Sequence, residues 1–257
     1  MSKVRAKKGL GQHFLIDKNI ARKIVDSILP GDFRSLIEIG PGTGVLTSYL
    51  IEKDMPGFMA VELDKESIEY LEKQYPHQKE KFVFADFLKY DLGKHEPPIA
   101  LLGNLPYFIS SQIFFRALEY RDHVNQMVFM IQKEVAERIA SPPGNKTYGI
   151  LSVLLQAYYD IEYLFTVHEH CFSPPPKIKS AVLRLIRNTT VNLQCDHVLF
   201  HKVVKAGFNQ RRKILRNSLR SIFLNLPAGS NLLTRRPEQL SVDQFIELTC
   251  LIEKLNP

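Results

Sequence analysis

A chain of 257 residues, 45% hydrophobic and 24% charged, suits a soluble globular protein with one large domain and a smaller one. Its formal charge of +7 points to a polyanionic partner, and no apolar run approaches the roughly 18 residues of a membrane span. The basic first residues lack the apolar core of a secretory signal, and Cys171, Cys195 and Cys250 form no C-x-x-C pair; the expectation is a cytoplasmic protein without disulfide framework or zinc site.

Residues 1–16 form a basic arm ending in Gly9-Leu10-Gly11-Gln12-His13-Phe14-Leu15. Either the arm is a disordered tail or its glycines fold it over a ligand, and Leu10, Phe14 and Leu15 favour docking. Asp17 reads as the cap of a helix over 18–29, with Ile20, Ile24, Val25 and Ile28 on one stripe. A short strand over 36–39 runs into Gly40-Pro41-Gly42-Thr43-Gly44, followed by helical spacing. Strand, glycine turn and helix is the nucleotide-binding arrangement, although the G-x-G-x-G spacing departs from the dinucleotide fingerprint. The next strand, 58–61, ends in Glu62-Leu63-Asp64. Glu62 falls 62 − 40 = 22 residues after Gly40, close to the ~20 expected of an acid that holds ribose hydroxyls.

A helix over 65–74 precedes a strand over 82–84 and Asp86, which is either the cap of the next turn or an acceptor for an adenine amino group. The apolar strand before Gly103 leads to Asn104-Leu105-Pro106-Tyr107. These residues set an amide, a rigid carbonyl and an aromatic face side by side, which suits an exocyclic amine on a stacked base. Helices over 110–118, 133–139 and 148–157 and strands over 127–131 and 161–167 follow. The segment Cys171-Phe172-Ser173-Pro174-Pro175-Pro176-Lys177 is held extended by its prolines, and Phe172 is either a buried anchor or a second stacking face. The strand over 181–186 completes an alternation of β and α that predicts a mostly parallel sheet with helices on both faces.

Beyond residue 187 only helices are expected, over 198–208, 210–223 and from Ser241 to Leu255. Residues 188–257 hold ten Lys or Arg against five acids, a net of +5, and no acid interrupts 205–220. Arg212, Arg216 and Arg220 recur every four residues beside an apolar stripe. A single-sign face of this kind favours phosphate contacts over plain solvation. The domain boundary is therefore set at 187/188.

Taken together, Gly11-Gln12-His13-Phe14-Leu15, Glu38-Ile39-Gly40-Pro41-Gly42-Thr43-Gly44, Glu62-Leu63-Asp64, Ala85-Asp86, Asn104-Leu105-Pro106-Tyr107, Phe172-Ser173-Pro174-Pro175-Pro176-Lys177 and Phe208-Asn209-Gln210-Arg211-Arg212-Lys213 resemble the ribosomal RNA adenine dimethyltransferases (the KsgA family) over nearly the whole chain. Phe108, His168 and Lys179 depart from that family's usual pattern. The resemblance implies an α/β, Rossmann-like, seven-stranded methyltransferase domain over 1–187 that uses S-adenosylmethionine, and a small all-helical RNA-binding domain over 188–257. It implies a donor pocket of Gln12, His13, Leu15, Glu38, Gly40, Gly42, Gly44, Glu62, Leu63, Asp86, Phe87 and Asn104. Asn104, Leu105, Pro106, Tyr107 and Phe172 would act on the target base. Lys7, Lys8, Lys177, Arg211, Arg212, Lys213, Arg216 and Arg220 would meet RNA.

The expected activity is dimethylation of two adjacent adenosines near the 3′ end of 16S rRNA, in the small subunit or its precursor. The enzyme would act as a monomer without metal or membrane. Competing readings are a resistance-type dimethyltransferase of 23S rRNA, a DNA adenine methyltransferase, an assembly factor that acts by binding, and, least supported, a nicotinamide dehydrogenase. The absence of an inserted DNA-reading domain and the basic 208–220 stretch favour small-subunit RNA.

Overall fold

The computed structural model describes residues 4–31, 33–190 and 192–256, so the first three residues of the basic arm lie outside it. By its contacts the chain divides into two compact units, one of residues 1–136 with 161–187 and one of 137–160 with 188–257.

The first unit is laid out as β1 (Phe14–Leu15), α1 (Lys18–Asp26), β2 (Ser35–Ile39), α2 (Val45–Glu52), β3 (Met59–Glu62), α3 (Lys65–Gln74), β4 (Phe82–Phe84), β5 (Ile99–Asn104), α4 (Ser110–Glu119) and β6 (Val124–Gln132). The chain continues through α5 (Lys133–Ile139), α6 (Ile150–Gln156), β7 (Tyr159–Val167), β8 (Phe172–Ser173) and β9 (Ser180–Arg187). Seven strands form one sheet in the order β4-β3-β2-β5-β6-β9-β7. The pairs β4–β3, β3–β2, β2–β5 and β5–β6 are parallel, as the alternating pattern predicts of most of the sheet, and β9 runs antiparallel to β6. β1 and β8 make a separate antiparallel pair, with Leu15 opposite Phe172.

Strands covered on both faces read as near-continuous apolar runs, and those at the centre of this sheet do, with Ser35 and Glu38 the buried polar exceptions in β2. Every residue of β2 is buried, as are the first five of β5. Ile24, Leu36, Leu50, Ala60, Leu71, Leu102 and Val128 belong to one core cluster. Full burial of each larger aliphatic among them stabilises the fold by about 1.5–3 kcal/mol. Asp17 caps α1 as expected, accepting from Asn19 N–H at 2.9 Å and Ile20 N–H at 3.1 Å. The helix stops at Asp26, short of the expected 29, because Ser27 and Ile28 N–H turn back to Ile24 and Val25 carbonyls three residues earlier.

From β2 the chain builds outward to β3 and β4, then returns to place β5 on the other flank. The carboxyl ends of β2 and β5 therefore meet at the point where strand order reverses, the position at which open α/β sheets form a binding crevice. Gly40, Glu62, Asp86 and Asn104 all follow or end strands at this edge.

The second unit is helical: α6, α7 (His197–Asn209), α8 (Leu215–Leu219) and α9 (Val242–Leu255), the last capped by Ser241 as expected. Phe208 lies 5.9 Å from Phe245 and 6.1 Å from Tyr148, ring centre to ring centre. This grouping differs from a single cut at 187: residues 137–160 join the C-terminal helices, because α6, with Leu151, Val153, Leu154 and Leu155 buried, packs against α7 and α9. A second correction concerns the helix expected over 210–223. Gln210 leaves helical geometry (φ −120°, ψ 49°), and Leu215 N–H donates to Arg235 carbonyl at 2.8 Å. Only Leu215–Leu219 is α-helical, so Arg211, Arg212 and Lys213 stand on a turn and not on one helical stripe with Arg216 and Arg220.

Candidate active site

Two adjoining clefts open at the switch point. One, of about 510 Å³, is lined by Gln12, His13, Leu15, Glu38, Gly40 and Gly42 together with Asn104, Leu105, Pro106 and Tyr107. The other, of about 590 Å³, is lined by Glu62, Leu63, Asp86, Phe87, Phe108 and Ile109. Gln12, Gly40 and Pro106 belong to both. The fold thus gathers four strand ends and the N-terminal arm around one crevice.

The first cleft presents an oriented amide. Asn104 Nδ2 donates to the His13 carbonyl at 2.9 Å, which fixes the amide and leaves Oδ1 as its acceptor. Gly103 holds β5 against β2, since a Cβ there would lie 2.6 Å from the Ile39 carbonyl. Tyr107 is fixed from both ends. Its hydroxyl shares a 2.6 Å hydrogen bond with Ser180 Oγ, and its ring stacks on His13 at 5.7 Å and 27°. The His13 ring is held in turn by the Pro174 carbonyl, 2.8 Å from Nδ1.

Three acids line the two clefts. Glu38 is 1% exposed and accepts from Thr47 Oγ1 at 2.7 Å, and burial pushes its carboxyl up to about 8, with the neighbouring Glu62 charge acting in the same direction. Glu62 accepts Gly42 N–H at 3.0 Å through Oε2 and Asp64 N–H at 2.9 Å through Oε1. Burial raises its pKa against the opposing pull of its backbone hydrogen bonds. Asp86 caps a short 3-10 turn over Phe87–Lys89 through Leu88 N–H at 3.0 Å, so the capping role and a place on the cleft wall coincide.

Several expected residues stand elsewhere. Phe172 is 3% exposed in the core cluster and lines neither cleft; pairing with Leu15 makes it the buried anchor and not a stacking face. Gly44 begins α2 and packs on Leu71, where a Cβ would come within 2.6 Å of Cδ2, so it serves helix packing and not the cleft wall. Lys7, expected to meet RNA, pairs with Asp64 at 2.6 Å and Glu66 at 3.3 Å. The Lys8 side chain lies outside the described residues. Arg211 turns inward to the Asn145 carbonyl at 3.3 Å and Glu238 at 3.9 Å, whereas Lys177, Arg212, Lys213 and Arg220 are exposed and Arg216 is half-buried. Sequence reasoning gave no role to Asp64, which is 2% exposed and binds Lys7 and Gln12, nor to Phe108, whose ring packs on Gly11. The only available signal for Asp64 was its place two residues after Glu62.

The description "Ribosomal RNA adenine dimethylase" belongs to the family model that matches residues 3–248. A Cytophaga hutchinsonii protein named Ribosomal RNA small subunit methyltransferase A is 54% identical over 98% of this chain and 99% of its own length. A Flavobacterium johnsoniae protein of the same name is 51% identical over 98% of each chain. Among solved structures, a dimethyladenosine transferase from Plasmodium falciparum superposes with a TM-score of 0.75 at 22% identity, covering 92% of this chain and 96% of that one. The 23S rRNA methyltransferase ErmE follows at 0.67 and 22%, covering 92% and 99%. At those identities the two structures establish the shared Rossmann-like methyltransferase fold alone, while the match across nearly the whole sequence establishes more: this chain belongs to the ribosomal RNA adenine dimethylase family.

Proposed function

We propose that this protein transfers methyl groups from S-adenosylmethionine to N6 of two adjacent adenosines near the 3′ end of 16S rRNA during small-subunit assembly, giving N6,N6-dimethyladenosine at both. The observation that carries the reading is the Asn104 amide, pinned by the His13 carbonyl beside Tyr107 in a chain 54% identical to a small-subunit rRNA methyltransferase. The small-subunit names of its relatives weigh against the 23S alternative.

The residues present fit the donor. A Cβ on Gly40 would meet nothing within 4 Å, so the loop backbone opens into the cleft. Glu62 and Asp86 offer carboxylates to ribose hydroxyls and an adenine amino group, and Leu63, Phe87 and Ile109 supply apolar walls for a flat base. When bound, S-adenosylmethionine supplies an electrophilic methyl on a sulfonium.

The chain's own groups prepare the acceptor. An adenine N6 is a weak nucleophile because its lone pair is shared with the ring. Asn104 Oδ1 and the Leu105 carbonyl accept its two N–H groups, which favours a pyramidal nitrogen and exposes the lone pair to the donor. Tyr107, immobilised by Ser180 and His13, stacks on the unpaired base, worth ~1–3 kcal/mol in comparable sites. Alignment of the two reactants supplies most of the acceleration. Exposed Lys177, Arg212, Lys213 and Arg220 hold ribosomal phosphates, and the enzyme works as a monomer in the cytoplasm.

The test incubates the protein and methyl-labelled donor with unmethylated small subunits, large subunits and duplex DNA, then maps the modified base. Label on two adjacent adenosines near the 16S 3′ end is expected. Label confined to large subunits or DNA overturns the reading, as does donor binding with no label anywhere.

A further inference from the structure

The N-terminal arm forms a wall of both clefts, yet among its described residues the regular structure is one 3-10 turn over Lys8–Leu10 and the two-residue β1. Its position must be set by what it is fastened to. Lys7 and Gln12 close a small loop: Lys7 N–H donates to Gln12 Oε1 at 2.9 Å, and Leu10 N–H donates to the Lys7 carbonyl at 3.0 Å. Both ends of that loop converge on one acid. Asp64 Oδ1 takes Lys7 Nζ at 2.6 Å, and Oδ2 takes Gln12 Nε2 at 3.3 Å.

Asp64 is the cap of α3, accepting from Glu66 N–H at 3.1 Å and Ser67 Oγ at 3.1 Å. Capping needs one oxygen, so the lysine and glutamine contacts are additional to it. On one side, Asp64 N–H donates to Glu62, the acid placed at the ribose. On the other, the residue after Gln12 is His13, whose carbonyl receives the Asn104 amide. A continuous chain of hydrogen bonds and backbone thus runs from the donor acid to the amide that meets the target.

We infer that Asp64 is a positioning residue for methyl transfer: it clamps the Lys7–Gln12 loop, and thereby holds the His13 carbonyl where it orients Asn104. The inference rests on the methyltransferase reading above. Losing the clamp lets the arm swing and the amide turn, while the donor acid, the glycine loop and α3 stay as they are. Small misplacements of a positioning group lower turnover and leave substrate capture largely alone.

Asp64→Asn separates the clamp from the cap. Asparagine caps a helix as well as aspartate does, and its oxygen can serve Glu66 N–H, but its amide nitrogen cannot accept from Gln12 or Ser67 and its charge no longer holds Lys7. Amide hydrogen exchange in the donor-free protein is expected to rise about tenfold across 7–15 with residues 65–74 unchanged. With both substrates saturating, kcat for small subunits is expected to fall about tenfold at an unchanged KM for the donor. Lys7→Met should repeat the effect and Lys7→Arg should recover part of it. Wild-type exchange in 7–15 overturns the inference. So does faster arm exchange at wild-type kcat, or a loss of protection in 65–74 that matches the arm, which would leave Asp64 a cap only. Should the wild-type protein methylate no small subunits, the functional reading fails, and exchange in the donor-free arm still decides whether the clamp exists.

Discussion

At the scale of single residues, the site depends on polar groups that are buried and individually directed. Asn104 is the sharpest case, because its Nδ2 is committed to the His13 carbonyl and only its Oδ1 is left for the proposed contact with the target amine. Asn104→Ala removes both and is expected to lower kcat about 100-fold or more, in the range of a lost transition-state hydrogen bond. Asn104→Asp retains an acceptor but cannot donate to His13, so it should fall between alanine and wild type in single-turnover rates. Glu38 makes a prediction about stability. Its folded carboxyl, pushed up to about 8 by burial, holds a proton that the unfolded chain releases near 4.5. Between those pH values the native state binds more protons, so stability from this group is complete below about 4.5 and declines as pH rises to about 8, by at most ~1.4 kcal/mol per pH unit. Glu38→Gln should flatten that part of the pH–stability curve, as measured by urea unfolding of the donor-free protein. What was legible at this scale were positions that follow from a strand end or a cap: Asp17 caps α1, and Glu62 and Asn104 end strands on the cleft walls. Phe172 and Lys7 were not, because a side chain's choice between core, cleft and ion pair is made by partners more than 50 positions away.

At the scale of elements, periodicity located helices and strands well where one face is buried and poorly where charge crowds the chain. α3 and β4 fall where the pattern puts them, 65–74 and 82–84, with Ile68 and Leu71 of α3 and Phe82 of β4 buried. The expected helix over 210–223 fails after Gln210, where three consecutive cations follow and Leu215 N–H donates to the distant Arg235 carbonyl. The break sorts the cations into two kinds. Arg211 is tied to Asn145 and Glu238, whereas Arg212 and Lys213 stand exposed on the turn. Replacing Arg212 and Lys213 together with alanine should weaken binding to rRNA and reduce the slope of log K against log salt by about 1–2, at an unchanged melting temperature. Arg211→Ala should instead lower the melting temperature. Filter binding across a salt series, with thermal melts of the same variants, separates the two.

At the scale of the whole molecule, composition announced a helical, basic C-terminal part but not what completes it. The second unit recruits residues 137–160 from the middle of the sequence, since no property of residues 188–257 reveals that their apolar faces need α6 and Tyr148. Tyr148 tests this grouping because its ring and its hydroxyl pull in opposite directions. The ring is fully buried beside Phe208, while the hydroxyl is buried without a hydrogen-bond partner among the described residues, and burial raises its pKa. Removing the ring leaves a cavity under α7, whereas removing only the hydroxyl relieves a desolvated polar group. Tyr148→Ala is therefore expected to destabilise the protein by about 3–5 kcal/mol, and Tyr148→Phe to leave it unchanged or more stable. The loss should report from both pieces of the unit. In native-state hydrogen exchange of Tyr148→Ala, protection should fall together in α6 and α7, which lie on opposite sides of residue 187, and persist in β2 and β5. Protection lost in α6 alone, with α7 untouched, would instead return the boundary to a single cut at 187/188.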